Sequence, residues 1–135
     1  MRERSDRRVA LDSSALIAYA NEDPQAIALL QELWRSDVLL VAPTPILAET
    51  LRGGRTDAAV NRVLAKMVTV DTTVVAGRRA GELLGSCKAP ASLTLDALII
   101  ATSLEAHVDG IITADVADHR RIAPPGFSVI ALHAK

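Results

Sequence analysis

Short runs of aliphatic and β-branched residues recur along this sequence, and each is followed by a stretch whose apolar residues return every third or fourth position. The first run is 9–11, and the stretch behind it, 13–20, carries a helical pattern that halts around Asn21 and Asp23. Pro24 suits a first helical turn, where its missing N–H is not needed, and Ile27, Leu30, Leu33 and Trp34 continue at helical spacing. A buried strand is expected over 38–41. Thr44 and Pro45 then read as the N-cap and first residue of a helix through Ile46, Leu47 and Leu51 that stops at Gly53 and Gly54.

The alternation continues to the end of the chain. Val60, Val63, Leu64 and Met67 share one face of a helix expected over 57–67, followed by a strand over 68–70 and a helix over 73–87. Residues 88–92, with Pro90, read as a loop, and Thr94 as the cap of a helix that Leu95, Leu98, Ile99, Ile100, Ala101 and Leu104 make apolar nearly all round. Such a helix is buried. A strand over 111–113, a short helix over 115–122, a turn at 124–126 and a strand over 128–132 complete the pattern. Strands separated by helices imply right-handed crossovers, so the expected fold class is α/β, a three-layer α/β/α sandwich around a mostly parallel central sheet.

With 135 residues, half of them hydrophobic, the chain has material for one well-filled core. The expected organisation is a single domain over 9–135 behind a charged, disordered extension at 1–8. That charged leader and the interruption at Asp12 speak against a signal peptide, and no apolar run is long enough for a membrane span. A cytoplasmic protein is expected, in keeping with a single cysteine, Cys87, read as a small buried hydrophobe. The net charge of −1 and an aromatic content of 2% exclude polyanion binding by bulk charge and base stacking on ring faces.

Chemistry is expected at the carboxyl ends of the strands, where ligands lie in open parallel sheets. Asp12 directly follows the first strand, and Asp115 follows the fourth with only Ala114 between. Glu49 and Asp96 sit near the starts of two helices, which face the same edge. Each acid alone is explained by helix capping or the helix dipole. Together, set among Leu11, Leu47, Leu95, Leu98 and Ile112, they are costly to desolvate, and no Lys or Arg lies within three residues of Asp96 or Asp115. A hard divalent cation, Mg²⁺ or Mn²⁺, turns that repulsion into affinity, and its natural use is phosphodiester hydrolysis.

The segments around Asp12 (Val-Ala-Leu-Asp-Ser-Ser), Glu49 (Thr-Pro-Ile-Leu-Ala-Glu), Asp96 (Thr-Leu-Asp-Ala-Leu-Ile) and Asp115 (Ile-Ile-Thr-Ala-Asp-Val-Ala-Asp) resemble, in order and spacing, the successive motifs of the PIN-domain family. Chains of this size resemble its VapC-like members, the toxin halves of VapBC pairs. The resemblance implies an Mg²⁺- or Mn²⁺-dependent endoribonuclease, usually dimeric and silenced by a cognate antitoxin. It implies that Asp12, Glu49, Asp96 and Asp115 are the catalytic quartet, with Asp12, Asp96 and Asp115 on the metal. Ser14 takes the place of an orienting hydroxyl, Thr113 that of the small polar residue before the last acid, and Asp118 is an additional acid of the same motif.

Arg52 and Arg55, on the turn after Glu49, read either as guides for an RNA backbone or as cations near a helix's negative end. Arg78 and Arg79 read as a solvated helix face. The three histidines, His107, His119 and His133, show no metal-ligand spacing, and only His119 falls near the expected site. Three alternatives stay open: a housekeeping RNA-processing nuclease, a receiver-like phosphotransfer domain with Asp71 at the end of the third strand, and a catalytically silent binding module. Apolar helical stretches at 27–34 and 60–67 are candidate dimer or antitoxin surfaces, or simply core.

Overall fold

The computed structural model describes residues 7–133. Five strands, β1 (Arg8–Leu11), β2 (Leu39–Pro43), β3 (Val68–Val70), β4 (Gly110–Thr113) and β5 (Ser128–Ala131), form one sheet in the order β3-β2-β1-β4-β5. Every pairing is parallel. Central strands of such a sheet are covered on both faces and read as continuous apolar runs. Accordingly Ala10, Leu11, Ile111 and Ile112 are fully buried, whereas the edge strands β3 and β5 are partly exposed.

Helices α1 (Ser13–Ala20), α2 (Pro24–Arg35), α3 (Pro45–Thr50) and α4 (Asp57–Leu64) lie in the connections β1 to β2 and β2 to β3. Helices α5 (Val74–Ser86) and α6 (Thr94–Glu105) return the chain from the edge strand β3 to β4, and α7 (Val116–Ile122) connects β4 to β5. The chain thus winds outward from β1 through β2 to β3, then crosses back to continue on the other side of β1. The strand order reverses between β1 and β4, and the crevice outside their carboxyl ends is where an open α/β sheet binds its ligand.

Local chemistry fixes the ends of these elements. Asp23 caps α2 through bonds from the Gln25 and Ala26 amides, with Pro24 at the first position. Thr73 caps α5 through the Ala76 amide. At Gly110 β4 and the edge strand β5 approach so closely that a Cβ would stand 2.6 Å from the Ser128 carbonyl oxygen. Only glycine fits there.

Several boundaries differ from the sequence expectation. Thr44 precedes α3 in helical conformation and its hydroxyl bonds to Thr72 instead of capping. Thr94 is the first residue of α6, entered from a 3-10 turn over Ala91–Leu93 where a plain loop was expected. Helix α3 ends at Thr50, before the glycines, and α4 ends at Leu64, before Met67. Of the extension expected at 1–8, residues 1–6 lie outside the described residues, while Arg7 and Arg8 already pair with Leu39 of β2. The close of the expected domain, 134–135, also lies outside them.

Burial changes other expectations. Ala26, Leu30, Val60 and Val63 are buried, so the stretches read as candidate partner surfaces give their central side chains to the core. The large apolar side chains left exposed are Val68, Val74, Val75 and Leu95. Leu95, expected inside, lies at the open end of α6, whose middle from Ile99 to Ser103 is buried as expected. Cys87 is half-buried. Arg79 is not purely solvated, since it pairs with Glu105 of α6 at 2.8 Å. No helix of the described residues is long and apolar enough to cross a membrane.

Candidate active site

Asp12 leaves β1 as the N-cap of α1, a residue with extended backbone whose carboxylate accepts the Ser13 amide at 2.7 Å. Its own N–H continues the ladder to the Ile112 carbonyl of β4 at 3.0 Å, which locks the residue at the switch point between the two strands. The residue is nevertheless almost wholly buried, at 3% exposure. Two hydroxyls serve its second oxygen. Thr113 donates to Oδ2 at 2.8 Å while its own oxygen accepts the Asp115 amide at 2.9 Å. Ser14 accepts the Ala114 amide at 2.9 Å and reaches the same Oδ2 at 3.3 Å. Backbone amides of the β4 to α7 connection thereby orient both hydroxyls, and the hydroxyls orient the carboxylate.

Asp96 enters from the first turn of α6, and α7 packs against that helix. His119 of α7 is fully buried, with Nε2 3.5 Å from Asp12 Oδ2 and 4.0 Å from Asp96 Oδ1. Ligand-capable atoms of Asp12, Asp96 and His119 all lie within 4.8 Å of one another. The Asp96 carboxyl is pushed up to about 6, chiefly by burial, with the negative charges of Asp12, Glu49 and Asp115 adding to the rise and His119 opposing it. Glu49 and Asp115 therefore belong to the same electrostatic neighbourhood, although they stand outside the tight group. Glu49 is half-buried in α3, and its Oε1 is buried without a hydrogen-bond partner.

Among the described residues none of the four acids has a Lys or Arg ion-pair partner. Carboxylates concentrated at one edge and orphaned buried ligand atoms together fit a divalent cation. A surface concavity lined by Thr113, Asp115, Val116, Ala131, Leu132 and His133 adjoins this group at Thr113 and Asp115 without including Asp12 or Asp96. Chemistry, not concavity, therefore locates the site.

The PIN domain profile matches residues 9–123. The chain belongs to the PIN-domain family. Its fold is similar to that in VapBC2 from Rickettsia felis, solved bound to a DNA fragment from its promoter, at TM-score 0.72 and 16% identity, covering 92% of this chain and 98% of that one. DNA-bound VapBC from Salmonella typhimurium gives TM-score 0.71 at 17% identity, with 94% and 99% covered. VapC20 of Mycobacterium tuberculosis, a toxin that cleaves the sarcin-ricin loop, gives 0.59 at 18% identity over 76% and 86%. Comparison with curated proteins finds no match.

Against the sequence reading, this PIN domain brings Asp12 and Asp96 together, with Glu49 and Asp115 beside them. Ser14 and Thr113 both donate to Asp12 Oδ2. Asp118, half-buried in the first turn of α7, stands outside the tight group. Arg52 and Arg55 are both exposed, and Arg52 folds back on the Ala48 carbonyl near the end of its own helix. Asp71 is exposed after the edge strand β3, whereas the acids gather at β1 and β4, which removes the geometric basis for a receiver-like reading. His119 had no role in the sequence reading; its register, four residues after Asp115 on a short helix, is the signal that points it back toward the acids.

Proposed function

We propose that this PIN domain is an Mg²⁺- or Mn²⁺-dependent endoribonuclease and the toxin of a type II toxin–antitoxin pair. The convergence of Asp12 and Asp96 at the β1/β4 switch point, with no Lys or Arg partner among the described residues, carries the reading. Asp12, Asp96 and Asp115 would hold the cation, and Glu49 would complete its surroundings or orient the attacking water. Such a cation, when bound, polarises a phosphodiester oxygen and makes a water acidic enough to deprotonate near neutral pH. Thr113 and Ser14 keep Asp12 in one orientation, so little reorganisation accompanies reaction.

The similar folds in VapBC structures support an antitoxin as partner, with the RNA substrate and a second copy of the chain as further partners of this reading. Among the described residues Val68, Val74, Val75 and Leu95 are the large exposed apolar side chains available to such association.

The test is cleavage of RNA by purified protein. Wild type should leave 3′-hydroxyl and 5′-phosphate ends, as expected when water attacks phosphorus and the bond to O3′ breaks, and EDTA should stop it. Asp12→Asn keeps a capping side chain for α1 yet should lose at least about a hundredfold in rate. Cyclic phosphate ends, indifference to EDTA, or full activity of folded Asp12→Asn would reject the nuclease reading. Growth arrest relieved by the product of an adjacent short reading frame would establish the toxin, and cleavage without arrest would identify an RNA-processing enzyme instead.

A further inference from the structure

The tight group at the β1/β4 switch point is not made of carboxylates alone. His119 is fully buried, its Nε2 has no hydrogen-bond partner, and that atom faces both Asp12 Oδ2 and Asp96 Oδ1. The other ring nitrogen settles which face of the imidazole is which. Nδ1 lies 3.1 Å from the Asp115 carbonyl oxygen, which can only accept, so Nδ1 carries a proton and donates it. With Nδ1 held as the donor, Nε2 is the ring atom directed at the two carboxylates. Nothing in the protein sits between them.

Resting on the nuclease reading above, we propose that His119 Nε2 is a direct ligand of the catalytic cation. The centre is then a mixed nitrogen and oxygen site that favours Mn²⁺ over Mg²⁺. Its separations from the two carboxylate oxygens, 3.5 and 4.0 Å, suit neighbouring ligands of one ion with bonds a little over 2 Å long. A backbone carbonyl fixing the distal N–H is also the usual support of a metal-bound histidine, since it sets the tautomer and the ring orientation. Mg²⁺ prefers oxygen donors and holds its waters tightly, whereas an imidazole nitrogen raises affinity for transition ions.

Binding of the metal alone, without RNA, tests this. Pulsed EPR of the full chain with substoichiometric Mn²⁺ should show ¹⁴N coupling from one imidazole, replaced by ¹⁵N coupling after labelling with ¹⁵N-histidine. His119→Gln should abolish the coupling and lower the ratio of Mn²⁺ to Mg²⁺ affinity by about tenfold or more. Should that variant fail to fold, His107→Asn with His133→Gln leaves His119 as the remaining histidine of three, and the coupling should persist. His107 has φ +58°, a conformation that asparagine tolerates. Mn²⁺ binding that depends on Asp12 but shows no nitrogen coupling would overturn the inference and leave the nuclease reading standing. In that case His119 positions Asp12 from outside the ligand set. Failure to bind either ion would remove both.

Discussion

The two ends of the β1/β4 strand pair differ in how their charged side chains are satisfied. At the amino end, Asp109 accepts the Arg8 amide at 3.1 Å, the Arg8 guanidinium donates to the Ala106 carbonyl at 2.9 Å, and Ser128 donates its amide to Asp109. Both charged side chains bond to backbone groups, and the backbone is tied across three strands. At the carboxyl end, four acids and one histidine gather, two buried ligand atoms lack partners, and Asp96 is driven toward its neutral form. One end of the sheet is arranged for stability. The other is electrostatically costly without an ion, and such cost is the usual mark of a functional site.

The largest expected effect comes from breaking the stable end. Gly110→Ala places a methyl group 2.6 Å from the Ser128 carbonyl and 2.9 Å from its Cβ, so β5 must move away from β4. Overpacking of this kind costs about 1–3 kcal/mol, and here it falls at the upper end because the obstacle is backbone. Urea unfolding should show a lower midpoint, with metal affinity in the surviving folded protein little changed. A midpoint like that of wild type would mean that the close approach of the two strands is not constraining.

An intermediate effect is expected where the stable frame meets the costly site. Thr113→Val keeps shape but removes the hydroxyl that receives the Asp115 amide and supplies Asp12. Cation affinity should fall about 10- to 100-fold, as for other supporting groups around metal ligands, while Thr113→Ser restores most of it. Calorimetric titration with Mn²⁺ measures both. Equal losses in the two variants would show that Thr113 acts through packing and not through its hydroxyl.

How far the sequence foretold this arrangement follows from the same contrast. Alternating apolar runs were enough for the strands, because a parallel sheet buried on both faces demands continuous aliphatic residues such as those of 39–42 in β2. The acids were legible because Asp12 and Asp115 directly adjoin strand ends, where topology rather than side-chain detail places them. His119 was legible as a neighbour of the site but not as a member of it. Its burial depends on α7 lying across α6, which the register after Asp115 alone does not give. Thr44 and Thr94 were misjudged as caps because the chain enters both helices through helical turns, leaving no extended residue to do the capping.

The smallest effect tests the cost itself. In the folded, metal-free protein the Asp96 carboxyl sits at about 6 against an ordinary 3.8, so unfolding releases its proton between those values. Below pH 4 the group is protonated in both states and contributes nothing. As pH rises toward 6 the unfolded chain ionises first and stability falls; above 6 the full penalty is present. A displacement of this size corresponds to about 3 kcal/mol for a wholly buried group, and solvent screening at this partly exposed side chain brings it to about 1 kcal/mol. Asp96→Asn in EDTA should therefore be more stable than wild type at pH 7 by about that amount and should lose the decline between pH 4 and 6. Added Mn²⁺ should reverse the order, because the wild-type site alone then gains a full ligand set. If Asp96→Asn is the less stable protein in EDTA at pH 7, Asp96 makes a structural contribution that outweighs its repulsion, and the contrast between the two ends of the sheet no longer holds.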